Sequence, residues 1–147
     1  MGRVPDPVVV ELANDISAIE KAVEDFVQWC GRACPDRRRL LLNFRVGLTE
    51  ALSNAMLYGN GDDPEKTVLV ELSIDAGDLH VRITDQGRGF DPSSLPDPRT
   101  PDNITKPGGR GIFLMRQLMD EVRYNASGNS VTLVLREIAG RGPLRQP

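Results

Sequence analysis

The stretch TVLVELSIDAGDLHVRI, residues 67–83, decides the fold. On each side of the turn-like sequence at positions 75–78, every second residue is apolar. This alternation is typical of two strands that bury one face. The pattern predicts an antiparallel hairpin. Its predicted inward face consists of Val68, Val70, Leu72, Ile74, Leu79, Val81 and Ile83.

The residues before the hairpin predict one more strand and two helices. The strand covers residues 8–12, and an amphipathic helix follows over residues 16–30. A second helix is predicted to start at Pro35-Asp36, because proline suits the first turn of a helix, and to run to about Leu57. The predicted apolar stripe of this second helix is Leu41, Phe44, Leu48, Leu52 and Ala55.

The residues after the hairpin predict a loop, a helix and a strand. Residues 91–107 contain five prolines and almost nothing apolar, so we expect a mobile loop there. A third helix is predicted to open at Gly108 and to keep a core face as far as Val122, and a last strand covers residues 131–135. We therefore predict an α+β two-layer sandwich, in which about three helices cover one face of a mostly antiparallel sheet.

Composition restricts the classes of function. The 147 residues carry 18 basic and 21 acidic side chains, a formal net charge of −3. We expect one domain over residues 1–147, with a core at about 8–137, and no direct binding to nucleic acid. No apolar run approaches the roughly 20 residues of a membrane span. Without a signal-peptide pattern or a cysteine framework, a cytoplasmic location is expected.

One acidic residue, Asp85, is predicted to lie on the inward face of its strand, where surface residues are not expected. Leu79, Val81 and Ile83 point inward, so Asp85, two residues further on, is predicted to point inward as well. An inward carboxylate needs a hydrogen-bonding partner. The following Gln86-Gly87-Arg88-Gly89 allows either a simple turn at the strand end or the close approach of a ligand to the backbone.

Two further patterns are compatible with chemistry. Glu50 and Asn54 are four residues apart and share one face of the second helix, where they form either a solvated surface or a site for a hard cation and a reacting hydroxyl. The glycines at 108, 109 and 111 open a helix, whose free N–H groups suit a phosphate. The only histidine, His80, lies on the outward strand face, which excludes a Ser-His-Asp triad.

Taken together, three motifs resemble the nucleotide-binding boxes of the GHKL (Bergerat-fold) ATPases. They are EALSNA at 50–55, DQGRGF at 85–90 and GGRGI at 108–112. Residues 108–122 and 128–133 resemble bacterial anti-sigma factors that are also serine kinases of partner-switching systems, whose third box continues into Leu-Met-Asp-Glu-Val. The resemblance covers residues from about 8 to 137.

The resemblance implies ATP and Mg²⁺ as cofactors and assigns roles to individual residues. Asp85 would accept a hydrogen bond from the adenine amino group, Asn54 would ligate Mg²⁺, and Glu50 would act as general base. An ATP lid would cover residues 91–107. The remaining implied nucleotide contacts are Gly87 and Gly89 at the adenine, Gly109 and Gly111 at the lid hinge, and Lys106 and Arg110 at the γ-phosphate.

Two positions depart from the family pattern. Tyr58 stands where the superfamily often has histidine, and Asn129 stands where a threonine usually supports the adenine-binding aspartate through a water molecule. Asn129 or Ser130 is expected to replace that hydrogen bond.

The resemblance implies a protein kinase that binds a sigma factor and phosphorylates a serine or threonine of an anti-sigma antagonist, acting as a homodimer. The alternatives are a nucleotide-gated protein-binding module, a bare ATPase, and a switch kinase of a stress-signalling scaffold. Glu50 together with Asn54 favours the kinase, because a pure switch needs no general base.

Overall fold

The computed structural model describes residues 6–88 and 109–139, with the side chains of 109–111 left out of that description. Its five strands form one antiparallel sheet in the order β1-β2-β3-β5-β4. The strands are β1 (Val8–Ala13), β2 (Thr67–Asp75), β3 (Asp78–Thr84), β4 (Glu121–Tyr124) and β5 (Ser130–Leu135). The helices cover one face, so the predicted α+β sandwich is confirmed.

The predicted hairpin is β2 and β3. Val70 pairs with Ile83 and Leu72 with Val81, so the inward side chains of the two strands lie opposite each other. Between the strands, Ala76 and Gly77 both have positive φ, 51° and 86°. A two-residue turn of this kind matches the right-handed twist of the strands it joins. The predicted alternation is confirmed, because the inward residues are buried along both strands.

The first helix is α1 (Ile19–Gly31), preceded by a short 3₁₀ turn at Ile16–Ala18. The predicted second helix is a continuous helical run of four segments. These are α2 (Arg37–Arg39), a π-helical turn (Leu40–Phe44), α3 (Arg45–Asn54) and a second π-helical turn (Ala55–Gly59). The last helix is α4 (Gly109–Leu118). None of the helices in the described ranges is long and apolar enough to cross a membrane.

The core lies between the helices and the sheet. Phe44, Leu48 and Leu52 from the helical run are fully buried against the inward residues of the strands. Burying a side chain of this size contributes about 1.5–3 kcal/mol. The core therefore fixes which face of the helical run points at the sheet, and with it the positions of the polar residues on the neighbouring face.

Two predictions about the helices are wrong. The third helix does not continue to Val122: it ends at Leu118, and residues 121–124 form β4, which pairs with β5. Leu41 is exposed at 39%, whereas Leu40 is buried at 1%. In the first π-helical turn the N–H of Arg45 bonds to the carbonyl of Leu40, five residues back. The wider turn shifts the apolar stripe by one position.

Candidate functional site

Asp85 follows directly after β3 and keeps the inward parity of that strand. Its backbone N–H donates to the carbonyl of Asn129 at 2.9 Å, which ties the strand end to the turn before β5. Its Oδ1 accepts a 2.8 Å hydrogen bond from the N–H of Gly87. The carboxylate is half-buried. The side chain thus lies on the core side of the sheet, as the parity predicted.

The electrostatic environment of Asp85 has opposing contributions. Burial raises the pKa of its carboxyl group above the ordinary value, while the Gly87 hydrogen bond and the charge of Lys66 lower it. Burial is the largest of the three. An ionised carboxylate that is partly removed from water is a strong acceptor for a donor group of a ligand.

Two glycines allow the backbone to approach this carboxylate. A Cβ atom on Gly59 would overlap the carboxylate of Asp85, and a Cβ atom on Gly87 would overlap the carbonyl oxygen of Gly59. The end of the helical run and the loop after β3 therefore meet backbone to backbone. Gly87 is among the site residues that the resemblance implies, whereas Gly59 was not predicted to be a site residue. Its position directly after Tyr58, in the turn that ends the helix, was the available signal.

Glu50 and Asn54 lie on the side of α3 that turns toward α4. Gly47 contacts Met119, where a Cβ atom would overlap the methionine side chain, and Asn54 lies two turns further along the same face. Asn43 Nδ2 donates to the carbonyl of Leu118 at 2.7 Å, which places the carboxyl end of α4 beside the start of α3. Because α4 packs along α3, the amino end of α4 lies toward Asn54.

One polar atom of the Asn54 side chain lacks a partner among the described residues. Its Nδ2 is buried and has no hydrogen-bond partner within residues 6–88 and 109–139. Leaving such a group unpaired costs about 1–3 kcal/mol. The amide can also rotate to present its oxygen at the same place. A polar ligand or a cation between α3 and the amino end of α4 would satisfy this side chain.

The third motif supplies the start of α4. The helix begins at Gly109, so the backbones of Gly109, Arg110 and Gly111 form its first turn. The N–H groups of a first turn have no partner within the helix and suit an anion. Gly89, Lys106 and the predicted lid over residues 91–107 lie outside the described residues.

The predicted supports of Asp85 lie beside it but make other side-chain contacts. Asn129 Oδ1 accepts from Asn125 Nδ2 at 2.7 Å, and the backbone carbonyl of Asn129 accepts from the N–H of Asp85. The hydroxyl of Ser130 lies 3.0 Å from the hydroxyl of Thr84, the residue before Asp85.

Comparison with known proteins identifies the family. A model of the histidine kinase-like ATPase domain matches residues 12–135. The chain belongs to this family. The match runs from the end of β1 to the end of β5 and contains Glu50, Asn54 and Asp85, and it confirms the resemblance to the GHKL ATPases. The ATPase domain implies ATP binding.

Comparison with individual proteins identifies a more specific group of relatives. The ATPase domain is similar to the anti-sigma F factor of Geobacillus thermodenitrificans, with 31% identity over 98 residues that cover 64% of this chain and 66% of the relative. Similarity to the anti-sigma F factor of Halalkalibacterium halodurans is 35% over 87 residues, covering 56% and 58%. The chain therefore spans less than two thirds of the length of each of these two relatives.

A solved structure has the same fold. The RsbU and RsbW domains of Rv1364c from Mycobacterium tuberculosis superpose with a TM-score of 0.63 and 19% sequence identity. The superposition covers 90% of this chain and 32% of that chain. At this identity the likeness shows the fold of the ATPase domain.

Proposed function

We propose that this chain is an ATP-dependent serine/threonine protein kinase that also acts as an anti-sigma factor. The observation that carries the proposal is the order of groups along one helical run. The carboxylate of Asp85 abuts Gly59 at the end of that run. At about 1.5 Å per residue, Glu50 lies about 13 Å back along the helix axis, with Asn54 between them. The groups proposed for base recognition, metal binding and proton transfer would thus lie in this order along the helix axis.

The adenine would bind at the Gly59 end of this helical run. Ionised Asp85 accepts only, so it selects a ligand that presents an N–H donor, as the adenine amino group does. Gly87 lacks a Cβ atom, so its backbone and that of Gly59 can meet directly beside the carboxylate. The raised pKa of Asp85 means that the carboxyl group loses its charge, and hence its acceptor-only character, at a higher pH than an ordinary aspartate.

The phosphates would bind between α3 and the amino end of α4. Helix N–H groups there attract negative charge, and Asn54 would hold Mg²⁺ through its amide oxygen. Among the described residues, no three His, Cys, Asp or Glu side chains cluster as a metal site. Mg²⁺ commonly takes one or two protein ligands and completes its shell with phosphate and water, which fits a site with Asn54 as its protein ligand.

Glu50 would accept the proton of the attacking hydroxyl. Bound ATP with Mg²⁺ supplies the transferable γ-phosphoryl group. The hydroxyl oxygen of the acceptor forms its bond to the γ-phosphorus as the bond to the bridging oxygen breaks and ADP leaves. Glu50 takes the hydroxyl proton, and Arg110 and Lys106 would stabilise the charge. His80 lies within β3, so the phosphate acceptor is proposed to be a residue of another protein.

The names of the relatives support the choice of partners. Two of them are anti-sigma F factors, so we propose a sigma factor as one partner and an anti-sigma antagonist as the phosphate acceptor. We further propose that the chain forms a homodimer and works in the cytoplasm.

The test of the proposed function is transfer of label from [γ-³²P]ATP to a purified candidate antagonist, beside a titration with a sigma factor. We expect the wild type to label a serine or threonine. Asn54→Ala is expected to lose Mg²⁺-dependent ATP affinity and transfer together, each by tenfold or more, because both depend on the metal. Ser53→Ala, which removes only a hydroxyl bonded to the Thr49 carbonyl, serves as the matched control.

The outcomes distinguish the proposal from its alternatives. Tight ATP binding with no transfer to any candidate would contradict the kinase and support a nucleotide-gated binding module. Phosphate release that is independent of an acceptor protein would indicate a bare ATPase. Full activity of Asn54→Ala would remove the metal assignment.

A further inference from the structure

Two buried amide side chains lie next to the candidate adenine site. Asn14 is 7% exposed and Asn60 is 1% exposed, and they are the buried polar residues among those described. Neither was assigned a role by the sequence motifs. Buried amide groups are nearly always hydrogen-bonded. The hydrogen-bond partners of Asn14 and Asn60 therefore show which segments of the chain the two side chains connect.

Asn60 connects three parts of the chain. Its Nδ2 donates to Asn14 Oδ1 at 3.1 Å and to the carbonyl of Thr67 at 2.9 Å. Its Oδ1 accepts from the backbone N–H of Gln86 at 2.7 Å. The bond from the Thr67 N–H to Gln86 Oε1, 2.8 Å, closes the same region from the other side.

These contacts allow only one orientation of the Asn60 amide. Nδ2 faces two oxygen atoms, and Oδ1 faces an N–H donor. Exchanging the two ends would put an NH₂ group against an N–H and an oxygen against two oxygens. The orientation of the Asn14 amide is also determined, because its Nδ2 donates to the carbonyls of Met56, at 3.2 Å, and Asp63, at 2.9 Å.

The bond to Gln86 bears directly on Asp85. The Gln86 N–H belongs to the peptide group that begins with the carbonyl carbon of Asp85. Asn60 therefore fixes the peptide on the carboxyl side of Asp85, while the bond to the Asn129 carbonyl fixes the amino side. With both flanking peptides held, the Asp85 side chain leaves the backbone in one direction.

We propose that Asn60 is a positioning residue that sets the base specificity of the site through the Gln86 backbone, without touching the nucleotide. This inference rests on the proposed binding of adenine at Asp85. A hydrogen bond depends on the direction of its acceptor, because it weakens steeply as the donor–hydrogen–acceptor angle departs from linearity. Loss of the Asn60 contact should therefore reduce discrimination between bases more than it reduces general affinity for a nucleotide.

The experiment compares ATP with ITP, whose base carries a carbonyl oxygen in place of the adenine amino group. Calorimetric titrations give the ratio of the two dissociation constants for the full chain. We expect the wild type to prefer ATP by about 10- to 150-fold, the range for a hydrogen bond to a charged group. In Asn60→Ala the ratio should fall at least threefold, because the Gln86 N–H loses its acceptor.

Asn14→Ala is the matched control. It removes a buried amide from the same network and should lower the melting temperature, yet it leaves the Asn60 bond to Gln86 in place. The ATP-to-ITP ratio of Asn14→Ala should stay near the wild-type value. If Asn60→Ala does not fold, Asn60→Ser keeps a hydroxyl that is too short to reach the Gln86 N–H, and the same fall in the ratio is expected.

Each result decides a separate point. A wild-type ratio in Asn60→Ala or Asn60→Ser overturns the positioning role and leaves ATP binding intact. An equal fall in Asn14→Ala also overturns it, because general loosening would then explain the effect. A wild type that binds neither nucleotide, or both equally, overturns the proposed adenine site and with it this inference.

Discussion

Glu50→Gln is expected to bind ATP nearly as the wild type does and to transfer phosphate roughly 10²–10⁴-fold more slowly, the usual contribution of a positioned general base. The substitution keeps the size of the side chain and removes its ability to accept a proton. Glu50 lies on α3, one turn before Asn54, so the metal and phosphate contacts should remain. Radiolabel transfer to the antagonist, beside an ATP titration, measures both quantities.

The control for this prediction is Glu20→Gln, which makes the same chemical change on the exposed first turn of α1. It should behave as the wild type does. We further propose that sigma binding requires the ATP-loaded protein but no phosphate transfer, so Glu50→Gln should still bind the sigma factor. Near wild-type transfer by Glu50→Gln would remove the base assignment and favour the nucleotide-gated binding module.

Asp85→Asn is expected to lose about 1.5–3 kcal/mol of ATP affinity, or about 10- to 150-fold, measured by titration calorimetry. An amide has nearly the same shape, but it is no longer an acceptor-only group with a full charge. The same variant should fold with equal or greater stability at neutral pH. Burial raises the folded-state pKa of Asp85, so its ionised form costs the folded state free energy above that pKa, and asparagine removes this cost.

Thermal unfolding at pH 7 separates the two effects of Asp85→Asn. Asp75→Asn, an exposed aspartate at the end of β2, is the matched control and should change neither affinity nor melting temperature appreciably. Unchanged ATP affinity in Asp85→Asn would rule out the adenine assignment. A large loss of stability in Asp85→Asn would show that the Asp85 carboxylate stabilises the fold.

Much of the fold could be predicted from the sequence because the strand pattern is strong. Alternation over residues 67–83 predicted the hairpin, and its parity predicted that Asp85 points inward. Glu50 and Asn54 could be placed on one helix face from spacing alone. In each case the prediction needed only residues that are close together in the chain.

The parts that were missed depend on contacts between distant residues. β4 has only four residues, and Val122 continues the helical spacing of Met115 and Met119, so a helix and a strand were equally compatible with that stretch. The contact between Gly59 and Gly87 requires the end of the helical run and the loop after β3 to meet in space. Likewise Asn14 and Asn60 lie 46 positions apart, and no local pattern distinguishes a buried asparagine pair from two turn residues.

A crystal structure of the full chain with ADP and Mg²⁺ is the most direct test of the central claim, which is that the ordered groups from Asp85 to Glu50 form one nucleotide site. We expect the adenine amino group within about 3 Å of the Asp85 carboxylate. The Asn54 amide oxygen should lie about 2.1 Å from the metal ion, with the phosphates at the amino end of α4. A nucleotide bound with its base away from Asp85, or a metal ion that Asn54 does not contact, would contradict the account.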